Sequence, residues 1–177
     1  GARERVARYP NDLNYRFETQ WGNFTTSLLN TYVSKNELKA DNTSNPPSQQ
    51  NGFGGNFRVR SNLSVNWQWD DWSVTWSARY YSRTKERCFA ADRCSLPDFT
   101  APEFQGATVG MNELGSNTFH DLQVAYALPW NATVAVGANN IFEHYSAPAY
   151  GQPNSGYSYY GGYDIGRFMY MKYQQRF

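Results

Sequence analysis

Arginine carries a planar fork of donors that suits carboxylate and phosphate groups, and Arg58, Arg60, Arg79 and Arg83 fall on two adjoining segments of this chain. Together they could attract an anionic ligand. Singly they would brace the fold by pairing with acids, for which Glu37 and Glu86 are candidates. Cys88 and Cys94 could form a disulfide or contribute to a metal site. A metal would need more ligands, and the stretch from 85 to 116 has no histidine, only Asp92, Asp98, Glu103 and Glu113 as further donors. His120 and Asp121 are adjacent, and neighbours on a strand point to opposite faces, so they cannot act as a catalytic pair. His144, after Glu143, reads as a solvated loop residue. Paired carboxylates, a nucleophile elbow and a phosphate loop are all missing, so we expect no enzyme, no cofactor and no metal.

The elements that must position these groups are strands. Residues 56 to 69 place Phe57, Val59, Leu63, Val65, Trp67 and Trp69 on one parity, broken by Ser61, against Asn56, Arg58, Arg60, Asn62, Ser64, Asn66 and Gln68 on the other. Residues 72 to 84 repeat this with Trp72, Val74, Trp76, Ala78 and Tyr80 against Ser73, Thr75, Ser77, Arg79 and Arg83. Only Asp70 and Asp71 intervene. A two-residue hairpin would set Trp69 opposite Trp72, Val65 opposite Trp76, Asn62 opposite Arg79 and Arg58 opposite Arg83, so that apolar meets apolar throughout. Strands this long, with one wholly polar face, exceed the usual five or six residues of soluble sheets. They fit a transmembrane barrel, in which tilted strands of at least ~9 residues show apolar side chains to lipid and polar ones to a wet lumen.

The pattern recurs, less cleanly, over 12 to 21, 24 to 38, 117 to 128, 133 to 142 and 163 to 177, which makes seven strands; the first ten residues read as loop. Short turns near 22, 70 and 130 alternate with long connections over 39 to 55, 85 to 116 and 143 to 162. That alternation matches periplasmic turns and extracellular loops. Trp21, Trp67, Trp69, Trp72 and Trp130 cluster at the short turns, as an interfacial girdle would. In an oxidising assembly route Cys88 and Cys94 then read as a disulfide, worth about 2 kcal/mol for so small a ring. Arg167 has lipid-facing parity but lies roughly 23 Å from the periplasmic edge, where it could meet lipid phosphates. Tyr157, Tyr159, Tyr160 and Tyr163 read as an outer girdle or a sugar-stacking surface. The four lumen arginines lie toward the extracellular end, where lipopolysaccharide-derived groups are among the possible anions.

The totals agree. Across 177 residues, aromatics make up 18% and the net charge is +1, with a mean hydropathy of -0.74. No apolar run approaches the roughly eighteen residues of a membrane helix. The charge offers no basic surface for nucleic acid. Arg3, Glu4, Arg5 and Arg8 precede any apolar segment, so an export signal would belong to upstream sequence or have been removed.

The last residues carry a resemblance. Phe177, with Tyr173, Met171 and Met169 on its face, resembles the C-terminal strand by which the assembly machinery recognises outer-membrane barrels. Gly137-Ala138-Asn139-Asn140-Ile141-Phe142, followed by Tyr163-Asp164-Ile165-Gly166-Arg167-Phe168, is similar to the closing segment of TonB-dependent receptors. Gln175 stands where that family more often has an apolar residue. The resemblance implies an all-β, antiparallel transmembrane barrel of 22 strands in the bacterial outer membrane. Residues 1–177 would then be its C-terminal strands, with the plug absent from this chain and import powered by the TonB complex. The implied activity is energy-coupled uptake of a nutrient such as a siderophore, cobalamin, oligosaccharide or peptide. A small passive pore or structural barrel is the other reading of the same strands.

Overall fold

β-Branched and aromatic residues in alternation favour the pleated backbone, and every regular element among the described residues is a strand. The computed structural model describes residues 3–39, 47–88, 94–100, 107–146, 149 and 166–176. Seven long strands pair antiparallel in the order β1 (Arg3–Thr19), β2 (Gly22–Lys39), β4 (Val59–Trp69), β5 (Trp72–Tyr81), β9 (Asn117–Leu128), β10 (Ala132–Asn139) and β11 (Phe168–Gln175). The short β3 (Ser48–Gln49) adds to β2 near Glu37. Between β5 and β9 the chain builds a second, three-stranded sheet from β6 (Thr84–Arg87), β7 (Leu96–Thr100) and β8 (Thr108–Leu114), ordered β6-β8-β7. Within the stretch from 85 to 116 the chain thus forms strands where a loop was expected. β1 also starts at Arg3, so Arg3–Pro10 is strand where a loop was expected, held by pairing that runs up to Arg3 and Lys39.

The hairpin register is as read from the sequence: Trp69 faces Trp72, Val65 faces Trp76 and Asn62 faces Arg79. Asp70 takes a φ of 52° in that turn and Asn131 a φ of 58° in the turn at 129–131, a conformation that short Asx side chains tolerate. Register then carries across the whole sheet. One row runs Phe17, Phe24, Trp67, Val74, Val124, Val136, Met171, and the next Tyr15, Thr26, Val65, Trp76, Leu122, Ala138, Met169. The other face carries Arg16, Thr25, Asn66, Thr75, Gln123, Gly137 and Tyr170. One face is therefore largely apolar from edge to edge toward the short turns, and gives way toward the long connections to a row of Asn11, Asn30, Ser61, Tyr80 and Thr118.

The alternation in β2 looked weak for a local reason. Arg8 faces Val33 but Ala7 faces Lys35, so Ser34 is an extra residue and the parity of β2 inverts there. A second departure is Phe57. It precedes β4 rather than belonging to it, and packs at 5.1 Å on Tyr81 of the polar face instead of joining the apolar one. Phe57 and Phe119 are 2% and 0% exposed and form the buried cluster, which lies at the end of the long connections. By contrast the apolar face is open: Leu13 is 64% exposed, Val136 52% and Met171 74%. The described residues place no second layer over it. Nor does any pairing among them join β1 to β11, so both are edges.

Candidate functional site

Where β4 and β5 leave the sheet, the polar face meets the segment from 47 to 57 and the small sheet. Lys85 N donates to Gly52 O at 2.8 Å, Gly54 N donates to Lys85 O at 2.8 Å, and the Thr84 hydroxyl bonds the carbonyls of Gly52 and Gly54. Gly52 adopts a φ of 82°, and a β-carbon there would sit 3.2 Å from Arg58 Nε. The absent side chain lets the guanidinium approach this turn.

Two concavities result. The first, about 190 Å³, is lined by Asn51, Gly52, Phe53, Arg58, Arg83, Lys85 and Phe99. Arg58 and Arg83 thus share a cavity, although strand pairing stops short of them at Arg60 and Tyr81. Arg83 contacts Glu113 at 3.5 Å through an exposed side chain. Among the described residues the cavity holds three cations, Arg58, Arg83 and Lys85, against this one acid. Asn51 is 3% exposed; its Nδ2 donates to Val33 O at 2.7 Å while its buried Oδ1 has no partner among the described residues. The second concavity, about 230 Å³, is lined by Arg8, Thr31, Val33, Asn36, Asn56, Phe57 and Arg60. Arg60 donates to Gly55 O at 2.8 Å and lies over the Phe57 ring at 5.2 Å.

Arg79 has a different role. It pairs with Asp121 at 2.9 Å, with side chains only 12% and 25% exposed, and lies 6.0 Å from the Phe119 ring. Arg79 thus pairs with Asp121 and Arg83 with Glu113; Glu37 pairs with Lys35 at 3.1 Å, and Glu86 is buried in β6 in register with Asn112. Four arginines read from the sequence as one group are divided among two cavities and one ion pair.

Sequence reasoning missed a neighbouring latch. Asn140 sits at a φ of 50° and is 2% exposed. Its backbone N–H donates to Asp121 Oδ1 at 2.8 Å, its Nδ2 donates to His144 O, and its Oδ1 accepts from His144 N, both at 2.9 Å. His144 Nε2 donates to Asn117 Oδ1 at 2.6 Å and the ring meets Phe119 edge-on at 5.4 Å. His144 is thus a fastener, not a solvated loop residue; an Asn-Asn pair ending a strand was the available signal. His120 stacks on Trp76 at 5.6 Å on the apolar face while Asp121 bonds across the polar one, so the two act apart.

Arg167 contacts Glu143 at 3.6 Å through a half-exposed side chain and donates to Ile141 O at 3.4 Å. Tyr145 donates to Glu143 at 3.2 Å. That hydrogen bond, followed by the charge of Glu143, raises the Tyr145 pKa above its ordinary value, with Arg167 opposing. Cys88 and Cys94 are disulfide-bonded, with Cα atoms 5.6 Å apart; the bond closes the turn between β6 and β7, and Cys88 N donates to Gly110 O. Trp21, Trp67, Trp69, Trp72 and Trp130 all lie at the short-turn end, with Trp67 Nε1 bonding Trp21 O at 2.8 Å. Met169, Met171 and Tyr173 lie on the apolar face, while Phe177, Tyr157, Tyr159, Tyr160 and Tyr163 fall outside the described residues. No protein family, curated protein or solved structure matches this chain.

Proposed function

We propose that the chain forms part of the wall of a bacterial outer-membrane β-barrel, and that this barrel is a TonB-dependent transporter. The observation that supports a lipid-facing wall is the unbroken register of apolar rows on one face, opposite polar rows on the other. Water would penalise so large an open apolar face, whereas hydrocarbon accepts it and demands paired backbone. The edges β1 and β11 would then be met by the remaining strands of the receptor, since lipid tolerates no open edge. Short turns face the periplasm, the long connections face outward, and the disulfide-bonded sheet stands outside the cell. The five tryptophans form the inner girdle. Met169, Met171, Tyr173 and Phe177 serve the assembly machinery.

The transporter assignment rests on the resemblance of the closing segment, and the plug and TonB complex enter through it. On this reading the cavity of Arg58, Arg83 and Lys85 opens toward the lumen at the outer end and receives an anionic part of the cargo. The test measures uptake of anionic nutrients by cells carrying the full-length receptor, with and without TonB. Uptake should require TonB, and Arg58→Gln with Arg83→Gln should weaken it without lowering barrel yield. TonB-independent passage into energy-free vesicles would establish the passive pore instead. Unchanged uptake by the double variant would remove the anion from the cavity.

A further inference from the structure

The extra residue Ser34 has a consequence for charge. Up to Tyr32 the even positions of β2 share the apolar face; beyond the bulge the odd ones do, because Lys35 pairs with Ala7, Glu37 with Arg5 and Lys39 with Arg3. The alternation of β1 is regular, so Arg3, Arg5 and Ala7 lie on the same face as Tyr9 and Leu13. The bulge therefore turns Lys35 and Lys39 onto the apolar side, while Asn36 joins Val33 in lining the cavity of Arg60. Without it the lysines would have faced the other way.

Arg3, Arg5, Lys35 and Lys39 thus form a basic patch on the same face as the apolar rows, beyond Tyr9 and Tyr32 and beyond a polar row of Asn11, Asn30 and Ser61. Among the described residues its one acid is Glu37, which stands opposite Arg5 and bridges to Lys35 at 3.1 Å. Arg3 stands directly opposite Lys39, a like-charge placement that is unfavourable unless an anion lies between. Below the patch Tyr9 and Tyr32 stack at 6.3 Å and are 57% and 45% exposed. Tyrosine prefers the boundary between hydrocarbon and headgroups. With a rise of about 3.3 Å per residue and a 45° tilt, Tyr9 lies about 28 Å from Trp21, just past the ~25 Å apolar band of an outer-membrane barrel. On the same scale Arg5 lies about 9 Å farther out, in the headgroup layer.

We propose that Arg3, Arg5, Lys35 and Lys39 bind the phosphate groups of an outer-leaflet lipid, specifically a phosphorylated glycolipid whose acyl chains lie against the apolar rows. The inference rests on the membrane reading above. Sharing one face with the apolar rows, beyond the Tyr9–Tyr32 pair, selects a lipid over free phosphate, and charge selects an anionic headgroup over a zwitterionic one.

The full-length protein in neutral detergent is titrated with lipid A, with lipid A stripped of its phosphates and with inorganic phosphate, and binding is read by native mass spectrometry. Lipid A should bind about a hundredfold tighter than the stripped form, the scale set by three net charges at the membrane surface. Replacing all four cations by Gln should abolish that preference, while Arg3→Lys, Arg5→Lys, Lys35→Arg and Lys39→Arg together should keep it. Equal binding of both lipids, a Gln variant that still discriminates, or free phosphate binding as tightly as lipid A would overturn the proposal. Quenching of Trp76 after the same protein is reconstituted into brominated-lipid vesicles separates the two readings. Quenching without phosphate preference ends only the lipid site; absence of quenching ends the membrane reading and the lipid site with it.

Discussion

Val65 and Ser64 are chain neighbours with opposite surroundings, and placing an arginine at each in turn tests the two faces of the sheet. Val65 stands between Thr26 and Trp76 on the apolar face; Ser64 stands between Ser27 and Ser77 on the polar one. Five residues separate Val65 from the turn at Asp70, which at about 3.3 Å per residue and a 45° tilt puts it roughly 12 Å into a band about 25 Å tall. A cation at that depth costs about 2–4 kcal/mol, or about thirty- to a thousandfold in the unfolding equilibrium. Ser64→Arg enters an aqueous interior and should stay within about 0.5 kcal/mol. Trp69→Arg, at the turn, should cost only about 0–1 kcal/mol because the penalty falls toward the interface. The assay is urea unfolding of the full-length protein in lipid vesicles, followed by tryptophan emission. Equal losses at 64 and 65 would refute the two-faced assignment. Equal losses at 65 and 69 would refute the depth dependence and point to a packed protein core in place of lipid.

Two further substitutions probe the polar face. A β-carbon on Gly137 would overlap the ring of Tyr170, whose hydroxyl donates to Gln123 at 3.1 Å. Gly137→Ala should therefore cost on the order of 1–3 kcal/mol alone and little in a Tyr170→Ala background, a coupling that a double-mutant cycle in denaturant reads directly. Arg79→Met should cost on the order of 1–3 kcal/mol by stranding the partly buried Asp121. Because Asp121 also anchors Asn140, that change should speed hydrogen exchange at the His144 amide, and Asp121→Asn added to Arg79→Met should restore most of the stability; exchange that does not change would show that the latch is independent of the ion pair.

The long strands were legible because a period of two, once tied to a two-residue turn, leaves one register in which apolar residues meet. The pairing of Trp69 with Trp72 and of Asn62 with Arg79 follows from that alone. Illegible features involve residues that break the period without announcing it. Ser34 resembles any polar strand residue, yet as the extra member of a bulge it inverts the faces beyond it. Phe57 continues the alternation by letter, but it lies ahead of the first pairing of β4, and burial against Tyr81 and Phe119 draws it across. The small sheet from Thr84 to Leu114 was hidden by short strands in a Pro- and Gly-containing stretch, where periodicity has too few residues to show.

Site chemistry was legible only as far as it depended on face. Parity placed Arg79 and Asp121 on the same side, but their contact joins β5 to β9 across a long connection, and nothing local indicates that strand pairing. The division of the arginines follows from the same geometry. Arg79 lies within the paired part of the sheet, where a cross-strand acid can reach it and desolvation rewards a close partner. Arg58 and Arg83 lie past the last pairing, beside Lys85, with Glu113 as an exposed counter-charge. On the proposed membrane reading the wall compensates its internal cation in place and leaves a cationic excess at the mouth, where an incoming anion supplies the missing charge.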